Sequence, residues 1–155
     1  MKQIFPVLFC LYGMLAAAQT ATLATDAIRV RDPFIFADAP SQTYYLYAQA
    51  ANRAGSGYQG VEVYTSTDLK TWKAPRPVLT LPRDSGVAMV WAPEMHAYRG
   101  AYYLFVTLTL RDTLPVAKPV DAAHWPRMHR RGTWIYRAES PDGPFKPLKN
   151  GPHTP

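Results

Sequence analysis

The chain has 155 residues, of which 48% are hydrophobic and 13% aromatic. This composition is enough for a packed core and argues against a disordered protein. The formal net charge of +6 is mild, and the densest basic stretch, residues 127–131, has no accompanying stacking residues or recognition helix. We therefore expect no nucleic-acid partner.

The first 18 residues have the pattern of a secretory signal peptide. Lys2 precedes an apolar run over residues 4–15, and three alanines at 16–18 form a small-residue cleavage site. The run is short for a membrane span, and an uncleaved anchor is the alternative. Cys10, the only cysteine, lies in this segment, so the mature chain would have no disulfide. The sequence predicts a secreted or periplasmic protein with no membrane attachment after signal removal.

Alternating apolar residues and turn signals predict strands along the first half of the mature chain. Residues 19–27 are small and polar and predict a flexible leader, and the Gly-rich residues 52–57 predict a loop. The third strand alternates as if half-buried, and the fourth completes a hairpin with it and carries a buried tryptophan. The predicted strands cover residues 32–37, 44–49, 60–66 and 71–73.

The second half repeats the same order about sixty residues later. A long loop over residues 111–131 interrupts it, and in each half a Ser and an Asp stand before an aromatic residue, Trp72 or Phe145, that we expect to fill the core. This repeat predicts an all-β fold of propeller blades. Its strands are predicted at residues 90–98, 101–110 and 132–138, with residues 140–146 as the closing segment.

Each repeat opens with a carboxylate close to a proline, Asp32 in residues 31–36 and Glu94 in residues 91–96. The first strands of propeller blades line a central channel, so these side chains would converge there. Carboxylates beside aromatic rings suit a sugar, because they bind hydroxyl groups and transfer protons. Asp32 could instead be a turn element, and Glu94 an internal hydrogen-bond partner that orients its neighbours.

Three further residues of these openings are candidates for substrate binding. Trp91 and Phe34 offer aromatic faces, although Trp91 could equally be blade packing. His96 would share a strand face with Glu94, but a buried histidine with satisfied hydrogen bonds is the favoured interpretation. His124 and His129 lie in the long loop, where they meet substrate or solvent. No residue spacing predicts a metal or cofactor site.

Taken together, the motifs resemble glycoside hydrolase family 43. The resemblance rests on residues 31–33 (RDP), 91–94 (WAPE) and 64–72 (YTSTDLKTW), with residues 132–135 (GTWI) and 140–145 (SPDGPF) extending it over nearly the whole mature chain. It identifies residues 19–155 as part of a five-bladed β-propeller, with blade one at about 26–82 and blade two at about 86–149. The chain would hold the first two blades of a truncated propeller.

The resemblance also implies a function. Such enzymes act on arabinose- or xylose-containing plant polysaccharides with inversion, and Asp32 takes the position of the general base. Trp91 and Glu94 match a motif at the sugar-binding end. The acid that protonates the leaving group and a second, substrate-positioning Asp belong to later blades. We therefore expect the chain alone to be inactive, with those missing C-terminal blades as its partner.

Several alternatives remain open at this point. The chain could be a non-catalytic carbohydrate-binding module or a remnant of a propeller, and a protein-interaction scaffold has little support. Propeller hydrolases of fructans and sialic acids are rivals within the enzyme class, but the opening at Trp91 and Glu94 favours family 43. The sequence does not decide between arabinose and xylose, or between endo and exo action.

Overall fold

The computed structural model describes residues 21–50, 58–114 and 128–154. The signal peptide predicted at residues 1–18, the loop at 52–57 and His124 lie outside these residues. Within the described ranges, no helix has the length and apolar character needed to cross a membrane.

Almost all regular structure in these ranges is β. A single 3₁₀ turn covers Thr25–Ala27. In chain order, the strands are β1 (Thr22–Ala24), β2 (Phe34–Asp38), β3 (Thr43–Ala50), β4 (Gln59–Ser66), β5 (Thr71–Lys73), β6 (Arg76–Leu81), β7 (Val87–Tyr98), β8 (Ala101–Thr113), β9 (His129–Ala138) and β10 (Lys146–Pro147).

The strands form two four-stranded antiparallel sheets and one small ribbon. Blade one has the order β2-β3-β4-β6, blade two the order β10-β9-β8-β7, and β1 pairs with β5. The first strand of each blade is an edge strand, and β2 contacts β7 where the blades meet. This arrangement of consecutive antiparallel blades confirms the prediction of an all-β propeller fold.

The main core lies between the two blades. Alternate side chains of the central strands point into it, as the period of two along a strand requires. Tyr47 is fully buried there, its hydroxyl donates to the carbonyl of Pro141 at 2.5 Å, and burial raises the pKa of this phenol. Other buried side chains of this core include Tyr45, Val61, Val63, Met95, Leu104, Val106, Leu108, Tyr136 and Phe145.

The predicted hairpin of blade one is wrong in its fourth strand. The blade is closed by β6, which pairs with β4, whereas β5 leaves the sheet. The turn before β5 explains this: Asp68 accepts the N–H groups of Lys70 and Thr71, each at 2.8 Å, and Leu69 has a φ of 61°. These hydrogen bonds hold the pKa of the Asp68 carboxyl well below its usual range.

The flexible leader predicted at residues 19–27 is also wrong where the structure describes it. β1 pairs with β5, and the Thr25 hydroxyl donates to the Leu69 carbonyl at 2.6 Å. The Trp72 indole N–H donates in turn to the Thr25 oxygen at 3.0 Å. This ribbon covers the outer face of blade one, where Trp72 packs in a second cluster with Leu46, Ala48 and Tyr64.

The burial predicted for the two core aromatic residues is confirmed, and the burial predicted for the third strand is wrong. Trp72 and Phe145 are 1% and 4% exposed, which confirms both as core residues. The third strand, β4, is not half-buried, because both of its faces are covered along most of its length. On one face lies the main core and on the other the cluster around Trp72.

Candidate active site

The backbone has the same unusual conformation at two places, just before β2 and within β7. Asp32 has a φ of 48° and Ala92 a φ of 37°, and each directly precedes a proline. Such left-handed conformations cost about 1–3 kcal/mol in residues other than glycine. Asp32 therefore corresponds to Ala92, and Glu94 corresponds to Phe34. The two acids that open the sequence repeat are not structural equivalents.

Asp32 is exposed at the start of β2. No group in the described part of the chain donates a hydrogen bond to its carboxylate or forms an ion pair with it. The position is fixed by its strained backbone and by Pro33, which restricts the conformation of the residue before it. A carboxylate held this way, with its oxygens open to solvent, can accept a proton from a water molecule.

Trp91 is held in place by a buried hydroxyl. Its indole N–H donates to Thr109 Oγ1 at 2.9 Å, and Arg131 Nε donates to the same oxygen at 3.0 Å. Thr109 is 3% exposed. The guanidinium carbons of Arg31 and Arg131 each lie 5.8 Å from the centre of the Trp91 ring, within the range of a cation–π interaction. Trp91 is half-buried, so it combines packing with an accessible face.

A cleft of about 270 Å³ opens between the blades at this end. It lies where β2, β4 and β7 begin and β3 ends. The side-chain amide of Gln59 in blade one donates a hydrogen bond to the Ala88 carbonyl in blade two, at 3.2 Å. Asp32 directly follows one of its lining residues. The walls are formed by Arg31, Gln49, Ala50, Gln59, Ala88, Met89, Val90 and Trp91.

A larger cleft, of about 640 Å³, lies at the other end of β2. It is lined around Asp38, whose Oδ2 accepts the N–H and the hydroxyl of Ser41 at 3.1 and 2.6 Å. This carboxylate closes the turn into β3, and none of the predicted site residues reaches it. We therefore place the candidate site at the smaller cleft.

Glu94 and His96 form a pair on β7. Glu94 Oε1 lies 2.8 Å from His96 Nε2, and their side chains are 55% and 53% exposed. The buried histidine favoured from the sequence is therefore wrong. Along β7 the buried residues alternate with these two, so both lie on the more exposed face of the strand. The imidazole lies between Phe34 and Phe105, with ring centres 5.7 Å away on each side.

The structure thus brings the predicted site residues into two neighbouring groups. Arg31, which directly precedes Asp32, contacts Trp91, and Phe34 contacts His96, which is bonded to Glu94. Both groups join the opening of β2 to β7. His129, which the sequence placed in the long loop, begins β9 instead, and its Nδ1 lies 3.0 Å from the carbonyl oxygen of Leu110.

Sequence reasoning missed three residues. Thr109 and Arg131 support Trp91 from 18 and 40 positions away, a distance at which no local pattern connects them. Glu62, between two buried valines on β4, is a carboxylate only 3% exposed that accepts the hydroxyl of Tyr64 at 2.9 Å. An acid inside an apolar strand is a signal for such a buried pair, because a buried carboxylate needs partners.

Comparison with known proteins gives a matching family model and similar solved structures. The family model described as "Glycosyl hydrolases family 43" matches residues 26–153. The structure is similar to the endo-arabinase from Bacteroides thetaiotaomicron VPI-5482, with 32% identity, a TM-score of 0.64, and coverage of 86% of this chain and 39% of that one. Among curated proteins, none matches the chain.

Two further solved structures share the fold. An alpha-L-arabinofuranosidase from Lactobacillus brevis has 20% identity and a TM-score of 0.53, covering 77% of this chain and 35% of that one. An exo-beta-1,3-galactanase from Phanerochaete chrysosporium has 18% identity and a TM-score of 0.54, covering 79% and 26%. The chain therefore spans well under half the length of these structures.

Proposed function

Because the chain belongs to glycosyl hydrolase family 43, we propose that it forms the general-base part of an inverting glycosidase site, with Asp32 as the base. One observation carries this proposal: Asp32 is exposed, free of hydrogen bonds from the described residues, and held in a strained conformation beside the cleft. Inversion requires a carboxylate that deprotonates a water molecule on the face of the sugar opposite the leaving group.

The neighbouring residues suit a sugar-binding role. Trp91 presents a ring whose orientation is fixed by Thr109, and such a ring can stack on the apolar face of a pyranose or furanose. Phe34 adds a second aromatic surface at the start of β2. Glu94 is positioned by His96 and accepts hydrogen bonds from sugar hydroxyls in this proposal. These are binding roles, and none of them supplies the proton for the leaving group.

We propose that the substrate contains arabinose or xylose, as in plant cell-wall polysaccharides. The endo-arabinase at 32% identity supports an arabinan-type substrate more strongly than the galactanase, whose likeness extends only to the fold. We also propose that the chain alone is a weak catalyst on natural substrates. The resemblance assigns the general acid to no residue of this sequence, and proton donation is typically worth ~10²- to 10⁴-fold in rate.

An activated substrate tests the base directly. A 2,4-dinitrophenyl arabinofuranoside or xyloside has a leaving group that departs without protonation, so its hydrolysis requires only the attacking water and its base. We expect the chain to hydrolyse it with inversion, as followed by absorbance and by NMR of the released sugar. Asp32→Ala should lower the rate at least ~10²-fold, and Asp112→Ala, an exposed acid at the end of β8, should not.

Two results would contradict the assignment. Undiminished turnover by Asp32→Ala would remove this residue from the reaction, and retention of configuration would remove the inverting mechanism. Binding of oligosaccharides without hydrolysis of the activated substrate would instead favour the second candidate, a non-catalytic carbohydrate-binding module. The fixed Trp91 ring beside the cleft is the observation that supports this alternative.

We further propose export through the N-terminal signal. The charged start at Lys2, the apolar run and the alanines at 16–18 support it. Expression of the full chain in a bacterial host, followed by N-terminal sequencing of the periplasmic and cellular material, checks this. A mature N-terminus at Gln19 is expected, and an intact N-terminus in the membrane fraction would favour the uncleaved anchor.

A further inference from the structure

Two arginines from different blades meet at one aromatic ring. Arg31 precedes β2 in blade one, Arg131 lies on β9 in blade two, and each guanidinium is 5.8 Å from the Trp91 ring centre. Arg131 is fixed by its hydrogen bond to Thr109, and both side chains belong to exposed residues. Two positive charges therefore meet at a ring that lines the cleft.

Neither charge is neutralised by a carboxylate. In residues 21–50, 58–114 and 128–154, Arg31 and Arg131 form no ion pair, although Asp32 is the direct neighbour of Arg31. Other arginines in the described residues do pair: Arg76 contacts Asp142, and Arg137 contacts Glu139, both at 2.6 Å. Two unpaired guanidinium groups at one ring make the local potential positive, and an anion bound beside them would be stabilised.

We infer that Arg31 and Arg131 form a subsite for an anionic group on the carbohydrate. The inference rests on the proposed function, because it extends the same sugar-binding cleft and narrows its substrate to an acidic polysaccharide. A guanidinium presents paired N–H donors that match a carboxylate or a sulfate ester. A uronic acid and a sulfated sugar share this chemistry.

The cleft geometry favours a carbohydrate over a nucleic acid. The two arginines flank a single aromatic ring at a cleft of about 270 Å³, whereas single-stranded nucleic acid is bound by charges along a groove with several stacking platforms. The size of the cleft suits one or two sugar rings. An anion on the bound sugar or its neighbour would then lie beside Arg31, which lines the cleft, and near the ring that Arg131 also contacts.

Calorimetry with matched ligands tests this inference on the full chain. Arabinotriose and xylotriose first establish which neutral trisaccharide binds. The same trisaccharide carrying one glucuronate, or one sulfate ester, is then titrated at 20 mM and 500 mM NaCl. We expect the acidic ligand to bind about five- to tenfold more tightly at low salt, and the preference to disappear at high salt, because exposed ion pairs are screened.

Substitutions test whether the two arginines cause the preference for the acidic ligand. Arg31→Gln/Arg131→Gln should bind the acidic and the neutral ligand equally, whatever the change in its affinity for the neutral one. Arg137→Gln removes the same charge at the other end of blade two, where the arginine is paired with Glu139, and should keep the preference. The salt dependence of the unaltered chain gives an independent reading if the double variant does not fold. The relative affinity for glucuronate and sulfate identifies the anion.

The outcomes separate the inference from the proposed function. Equal binding of neutral and acidic ligands, or a preference that survives the double substitution, overturns the anionic subsite alone. Absence of binding to either neutral trisaccharide contradicts the proposed function and the subsite with it. A single-stranded DNA 20-mer that binds more tightly than the acidic trisaccharide would show that the arginines form a nucleic-acid surface instead.

Discussion

In the opening of β2, a residue in the left-handed conformation precedes Pro33, and in the opening of β7 another precedes Pro93. The residues before the two prolines differ: Asp32 stands where blade two has Ala92, and Arg31 where it has Trp91. The repeated backbone therefore supplies a rigid support, and the chemistry depends on which side chain each copy places on it. One copy offers a free carboxylate, the other an anchored aromatic ring.

The strongest test of this comparison moves the carboxylate from one opening to the other. The double variant Asp32→Ala/Ala92→Asp keeps the charge and the backbone conformation but places the acid in the next blade. We expect it to remain at least ~10²-fold slower than the unaltered chain on the activated aryl glycoside, because general-base catalysis depends on position. Recovery of the original rate would show that either opening can hold the base.

The paired positions Arg31 and Trp91 should differ in their contribution to folding. Trp91→Ala removes a half-buried ring and leaves Thr109 without one of its donors, and we expect a loss of about 2–3 kcal/mol in the free energy of unfolding. Arg31→Ala should cost less than about 0.5 kcal/mol, as is usual for an exposed side chain. Urea unfolding followed by fluorescence measures both. Equal losses would contradict the comparison.

Much of this fold can be predicted from the sequence, and the reasons are local. β3, β7 and β8 follow from alternating apolar residues bounded by turn signals, and the repeat of their order predicts the blades. β6 is missed because Pro77 weakens its strand pattern, although proline is compatible with an edge strand that closes a sheet. The pairing of β5 with β1 depends on hydrogen bonds that Asp68 accepts and on the one that Thr25 donates to Leu69, and no strand pattern predicts them.

The candidate site is less predictable than the fold. Motif spacing predicts Asp32, Trp91 and Glu94 as site residues, but the exposure of His96 depends on how β7 packs in the folded chain. The shared hydroxyl of Thr109 joins residues from three strands, so it emerges only when the sheet registers are known. The contact of Arg31 with Trp91 likewise depends on how the two blades meet. These contacts depend on tertiary packing, so the local sequence does not predict them.

The anchoring of Trp91 can be separated from its bulk. Thr109→Val keeps the size of this buried side chain but removes the oxygen that accepts both the indole and the Arg131 N–H. We expect a loss of about 1–2 kcal/mol in the free energy of unfolding, because a half-buried donor is left unsatisfied. Thr107→Val, on the same strand and without a side-chain hydrogen bond in the described residues, is the matched control. A loss as large in the control would exclude the shared hydroxyl as the cause.

The smallest effect concerns the strained backbone itself. Ala92→Gly should stabilise the chain by about 1 kcal/mol, since glycine adopts a positive φ without steric cost. Asp32→Gly should gain only about half as much, because Asp tolerates this conformation better than Ala. Ala97→Gly, in an ordinary part of β7, should be destabilising by about 0.5–1 kcal/mol. Thermal unfolding ranks the three, and a loss of stability in Ala92→Gly would show that the strain is absent.

The ribbon of β1 and β5 has a consequence for the order of folding. The Thr25 hydroxyl meets the carbonyl of Leu69 across 44 positions, whereas β2, β3 and β4 join through near neighbours in the chain. Contacts between distant residues form slowly, because a long loop must close before they gain any energy. During synthesis, β1 therefore leaves the ribosome well before its partner exists, and β2, β3 and β4 can pair before the ribbon closes over them. We expect the ribbon to form late and to be the first part of this blade that a protease reaches.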